Sequence, residues 1–172
     1  MKYAEIPVSD AYELQNAGGL VLVCTRGADG RYDLAPAAWC CPLDNTPVSK
    51  LILVLDTGHR TYADLSDSGE FAVALPTKAQ LDLVGRAGSM SGHDADKYAE
   101  LGIPSFAARE VDVRIPEGVA GWLECRLSRI VVEGTSGVVM GEVLRAEAVP
   151  DAWKLRVHYV REGLMFTPGE SF

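Results

Sequence analysis

Residues 122–149, WLECRLSRIVVEGTSGVVMGEVLRAEAV, put two long runs of strand-forming residues on either side of a turn at Gly134 to Gly137. Valine, isoleucine and leucine crowd the runs and glycines bound the turn, which is the pattern of a long β-hairpin. In the first run Leu123, Cys125 and Leu127 alternate with Glu124, Arg126 and Ser128, predicting one inward and one outward face. An isolated two-stranded hairpin is only marginally stable in water, so this one demands further strands to cover its apolar side.

The rest of the chain supplies them. GLVLVCTRGADGRYDLAPAAW predicts a hairpin with a strand from Leu20 to Thr25, a turn at Gly27 to Gly30 and a second strand starting near Tyr32. KLILVLD is a continuous apolar run of strand length, buried on both faces or inside a barrel. EFAVALP predicts a strand from Glu70 to Leu75, stopped by Pro76. Helices are expected at Arg60 to Asp67, Lys78 to Val84 and Asp94 to Leu101, the last capped by Asp94. A further short helix from Ser9 or Asp10 to Gln15 should end at Gly18-Gly19. About six strands in hairpin order with short helical excursions predict a mainly β chain, a closed or split antiparallel barrel. Without repeats or linkers, residues 1–172 read as one domain, long enough to hold a core without metal or disulfide staples.

Charge narrows the partners. With 24 acidic against 16 basic residues the net charge is -8, and the basic residues are scattered, so a nucleic-acid backbone is repelled. A small anion can still be held where a few donors converge. The first ten residues lack a cationic region followed by an apolar run, and no uninterrupted apolar stretch reaches membrane-spanning length, so the expectation is a soluble, cytoplasmic protein.

Four cysteines match neither a secreted disulfide framework nor a paired C-x-x-C metal pattern. Cys24 and Cys125, inside apolar strands, read as small core residues. Cys40 and Cys41 are adjacent, and neighbouring Cα atoms lie ~3.8 Å apart, short of the usual disulfide window of about 4.4 to 6.8 Å. In an extended segment their sulfurs point to opposite faces and cannot converge on one metal. The three histidines, His59, His93 and His158, stand at no ligand spacing, so no metal site is expected.

Four segments carry the functional signal, in this order: Asp33 to Trp39 (DLAPAAW), Arg60 to Pro76 (RTYADLSDSGEFAVALP), Ser91 to Tyr98 (SGHDADKY), and Gly141-Glu142-Val143. Together they resemble the flavin reductase-like and flavoredoxin family of FMN-binding split-barrel proteins, over a stretch running from about Leu20 to the C-terminus. The resemblance implies FMN as cofactor, NADH or NADPH as a co-substrate, and either flavin reduction or a non-enzymatic electron-carrying role beside a redox partner protein. It also implies a homodimer with the flavin near the interface. Carried over residue by residue, the flavin contacts fall on Asp33, Pro36, Ala38, Trp39, Cys40, Thr57, Arg60, Thr61, Ser91, Lys97 and Phe166; no catalytic acid or base is implied. Asp33 stands where relatives often have asparagine, Ser136 where some carry histidine, and Cys40 where many carry an aromatic ring.

The residue chemistry is compatible with that assignment. Trp39 after two alanines offers a flat apolar wall for a ring system. Thr57, His59, Arg60 and Thr61 open a helix and can face a phosphate. The loop from Gly85 to Lys97 is rich in glycine and serine amides that can surround an anion, although it lacks the G-K-[ST] of a phosphate-binding P-loop. Read without the resemblance, the same residues are equally a core aromatic, solvated surface charges and a mobile loop with Lys97 exposed.

Overall fold

In the structure, a computed structural model, residues 18–169 are described. The expected helix from Ser9 to Gln15 lies outside them. Among the described residues no helix is long and apolar enough to cross a membrane.

Strands β1 (Val21–Arg26), β2 (Tyr32–Ala37), β3 (Cys40–Asp44), β4 (Lys50–Asp56), β5 (Glu70–Leu75), β8 (Gly121–Glu133) and β9 (Ser136–Ala148) form one seven-stranded sheet in the order β2-β1-β5-β8-β9-β4-β3, antiparallel throughout. Its two edges, β2 and β3, follow one another in the chain with only Ala38 and Trp39 between them. From Ala37 to Cys40 the chain takes three Cα steps, which span at most about 11 Å. The sheet must therefore curl until its edges nearly meet, which makes it a barrel split along one seam.

Curling gives the sheet an inside and an outside, and both are packed. Val21, Val23, Leu51, Leu53, Leu55, Phe71, Val73, Cys125 and Val139 fill the interior together with Leu65 from helix α1 (Arg60–Ser68). The alternation of Leu51, Leu53 and Leu55 resolves the two readings of KLILVLD in favour of a barrel strand with one fully buried face. Leu22, Cys24, Leu34, Ala72 and Ala74 face the other way, against Val84 and Ala87 of α2 (Leu81–Ser89) and Val111, Val113 and Ile115 from the segment holding β6 (Ser105–Ala107) and β7 (Arg114–Pro116). At the seam, helix α3 (Lys97–Glu100) packs with α2 on β2, and a small hairpin of β10 (His158–Arg161) and β11 (Leu164–Phe166) bridges to Gly19.

Several boundaries differ from expectation for identifiable reasons. Lys78 to Gln80 form a 3₁₀ turn, and α2 begins after it and runs on to Ser89. The third helix is a single turn capped by Asp96, whose Oδ1 accepts from Ala99 N at 3.0 Å, while Asp94 lies in a turn closed by its own amide onto Ser91 O. Cys40 to Asp44 is an edge strand, where Pro42 removes no needed donor.

Glu124 corrects the outward face predicted for β8. Its side chain is fully buried, while Arg126 and Ser128 are exposed. Oε2 accepts from the amides of Arg109 (2.9 Å) and Glu110 (2.6 Å), and Oε1 accepts from Trp122 Nε1 (3.1 Å). The loop between β6 and β7 thus covers this end of the hairpin, fastened by one carboxylate and by Trp122 edge-on against Phe106 at 5.1 Å. Glu124→Ala strands three donors, so it should cost roughly 3 kcal/mol in urea unfolding, with Glu124→Gln losing less; an Ala variant within experimental error of wild type would show that the latch does not hold the loop.

Candidate functional site

The seam opens into a cleft with two chemically different halves. The larger cavity, about 740 Å³, is lined by Leu20, Pro36, Ala38 and Trp39, by Tyr159, Gly163 and Met165 of the C-terminal hairpin, and by Val84, Gly85 and Gly88 of α2. The smaller, about 330 Å³, is lined by Asp33, Arg60, Thr61, Ser91, His93 and Lys97 among others. Pro36, His59, Gly88 and Ser89 border both, so the two are halves of one continuous depression. α2 presents small residues here because β2 lies against it: a Cβ on Gly88 would come within 3.0 Å of Pro36 Cγ.

The polar half is built where α1 begins. His59 is its N-cap and supplies no side-chain cap, and the first turn holds no acidic residue. Tyr62 N and Ala63 N bond to His59 O, while among the described residues the amides of Arg60 and Thr61 have no partner. Opposite them runs the loop after α2, where Ser91 Oγ accepts from His93 N (3.2 Å) and the His93 ring lies 3.3 Å from Gly58 O. Open amides at a helix start, two serines and two histidines make a seat for an anion or a polyol.

Its two cations are already engaged. Lys97 is buried, with Nζ 2.9 Å from Leu34 O and 3.1 Å from Asp33 Oδ1. Asp33 Oδ2 accepts from Thr61 Oγ1 at 2.8 Å, while Oδ1 has the lysine's charge beside it but no directed hydrogen bond. Gly92 packs directly over this carboxylate: a Cβ there would sit 2.5 Å from Oδ1. Arg60 donates from Nε to Asp64 Oδ1 (2.5 Å) and from Nη2 to Asp29 Oδ1 (2.7 Å). Hydrogen bonding to Asp29 strengthens the guanidinium's hold on its proton, whereas burial lifts the Asp64 carboxyl above its ordinary range despite Arg60.

Of the residues named from sequence, Pro36, Ala38 and Trp39 line the apolar half and Asp33, Pro36, Arg60, Thr61, Ser91 and Lys97 the polar half. Three line neither. Thr57 turns its amide to Thr135 O, Phe166 stacks on His158 at 5.0 Å beside the cavity-lining Met165, and Cys40 packs against the barrel interior. Gly85, Gly88 and Ser89, expected in an anion-surrounding loop, lie instead in α2 and border the apolar half. Residues not named from sequence as site residues are Tyr159, Glu162 and Met165 of the C-terminal hairpin.

All four thiols are free. Burial raises the Cys40 thiol to about 11, Cys24 is likewise pushed up to about 12, and Cys125 is also held protonated, whereas Cys41 is exposed on the outer face of β3. A maleimide at neutral pH should therefore label one thiol per native chain, at Cys41 by peptide mapping; fast labelling at Cys40 would contradict its inward packing.

A split antiparallel barrel with a ligand-sized cleft along its seam defines the class of protein. The chain belongs to the flavin reductase-like family: residues 14–165 match the flavin reductase like domain. It is 32% identical to the FMN-binding domain of a flavin reductase-like enzyme from Shewanella baltica, covering 98% of this chain and 95% of that one with a TM-score of 0.77. It shares the fold of the flavoredoxin of Desulfovibrio vulgaris (TM-score 0.86, 23% identity, 100% and 96% coverage). An uncharacterised protein of Escherichia coli is 26% identical over 98% of this chain and 96% of its own length.

Proposed function

We propose that the chain binds FMN along the seam and, as an oxidoreductase of the flavin reductase type, loads it with reducing equivalents from NADH or NADPH. The observation that carries this reading is the two-part cleft. Its apolar half, walled by Pro36, Ala38 and Trp39, suits a flat ring, and its polar half, with open amides at Arg60 and Thr61 and hydroxyls at Ser89 and Ser91, suits a polyol chain ending in phosphate. When bound, FMN supplies the electron-accepting chemistry. The chain's part is to orient the ring, keep water from its buried face, and hold the phosphate with neutral donors backed by Arg60. The Shewanella baltica relative, described as FMN-binding, supports the choice of flavin.

The reading includes a cytoplasmic homodimer. Trp39, Leu43, Leu164 and Phe166 are all exposed and would give a second copy apolar surface. The shared fold with a flavoredoxin favours a second reading, an FMN electron carrier served by a redox partner protein.

Purified protein incubated with FMN and desalted should keep a flavin absorbance spectrum, and FMN should bind more tightly than riboflavin. A colourless protein after desalting, with no flavin titration, would overturn FMN binding. Stopped-flow mixing of the FMN complex then separates the two roles: bleaching of the flavin by NADH or NADPH within seconds supports the reductase, and bleaching only by a reduced iron-sulfur protein supports the carrier.

A further inference from the structure

Each cation that reaches the polar half of the cleft is matched by a carboxylate of the chain itself. Lys97 is tied to Asp33 in a buried pair that packs under Gly92 and is joined to Thr61. Arg60 is different, because its two partners are unequal. Asp64 is buried, and its second oxygen accepts from the buried Thr25 hydroxyl at 3.2 Å. Asp29 belongs to the β1–β2 turn, with its side chain 41% exposed, and reaches Arg60 from the solvent side. It is also held by Arg31, through the backbone amide at 3.0 Å and Nε at 2.8 Å.

That turn is fitted to the arginine. A Cβ on Gly27 would lie 1.9 Å from Arg60 Nη2, so the backbone lies directly on the guanidinium. The Asp29 carboxylate contributes no wall to either cavity. What it does hold is the Nη2 donor of Arg60, a residue that itself lines the polar half. Hydrogen bonds from Arg60 and then Arg31 hold Asp29 well below the usual carboxylate range, so it stays charged at any working pH.

We propose that Asp29 limits the affinity of the cleft for phosphate-bearing ligands by competing for Arg60, and that it thereby keeps the bound flavin exchangeable. The inference rests on the FMN reading for its ligand, but its physical content is narrower: a carboxylate of the chain occupies a donor that an anion would use, and its negative charge lies beside the anion seat. Removing one negative charge near a phosphate dianion across a well-hydrated surface strengthens binding by about fivefold at low ionic strength. The gain should shrink as salt screens it.

Asp29→Asn keeps the shape of the side chain and removes the charge. Fluorescence titrations at low salt should show FMN binding tightened by about fivefold and riboflavin unchanged within about twofold, with the FMN advantage lost at high salt. Unchanged or weaker FMN binding by a folded variant, or an equal gain for riboflavin, would overturn the proposal. Asp29→Ser serves the same test if the asparagine variant fails to fold, as judged by circular dichroism. If the wild-type chain binds no flavin, the FMN reading fails separately, and inorganic phosphate becomes the probe. Phosphate must then raise the thermal midpoint of Asp29→Asn more than that of wild type; an equal rise, or none in either, contradicts the competition.

Discussion

The two-residue step from β2 to β3 is the constraint on which the rest of this structure depends. Ala38 and Trp39 join the opposite edges of a seven-stranded sheet, so the sheet has to curl, and curling creates both the enclosed core and the seam. The cleft lies at that seam because there the ladder is interrupted and residues from the connection itself, the start of α1, α2 and the C-terminal hairpin meet. Trp39 is half exposed for the same reason, since a residue bridging two edges has barrel on one side only.

In the wall of the polar half a layer of buried polar groups fixes how the helices sit on the barrel. Asp33 on β2 takes a hydroxyl from Thr61 on α1 and a charge from Lys97 on α3, so one carboxylate ties two helices to an edge strand. Burying charge is costly unless it is paired and hydrogen-bonded. Here the cost is offset locally, with Lys97 also capping Leu34 O. An uncharged side chain at Asp33 could not neutralise the buried lysine. The pair makes Lys97 part of the scaffold, and our proposal leaves an anion to the amides of α1 and to Arg60.

Strands with a long apolar run were legible in the sequence, because β1, β4, β5, β8 and β9 each bury a face that periodicity reports directly. β3 was not: Cys-Cys-Pro-Leu-Asp reads as a loop, and only its place at an edge, paired on one side to β4, lets it be a strand. Glu124 was misread as outward because the groups that bury it are backbone amides of a distant loop, which leave no mark in the local pattern. In the cleft, the family resemblance pointed to Asp33 to Trp39 and to the start of α1, and residues of both segments line it. The pairing of each cation with its own carboxylate was invisible, since Asp29 and Arg60 meet only after the β1–β2 turn folds onto the helix.

The central claim is that the apolar half of the seam takes the ring and the start of α1 takes the phosphate. A crystal structure of the chain with FMN tests it most directly. The account predicts the isoalloxazine against Pro36, Ala38 and Trp39, and the phosphate within hydrogen-bonding distance of the Arg60 and Thr61 amides. Flavin density with the phosphate at the hairpin end near Glu162, or ring density away from Trp39, would contradict it.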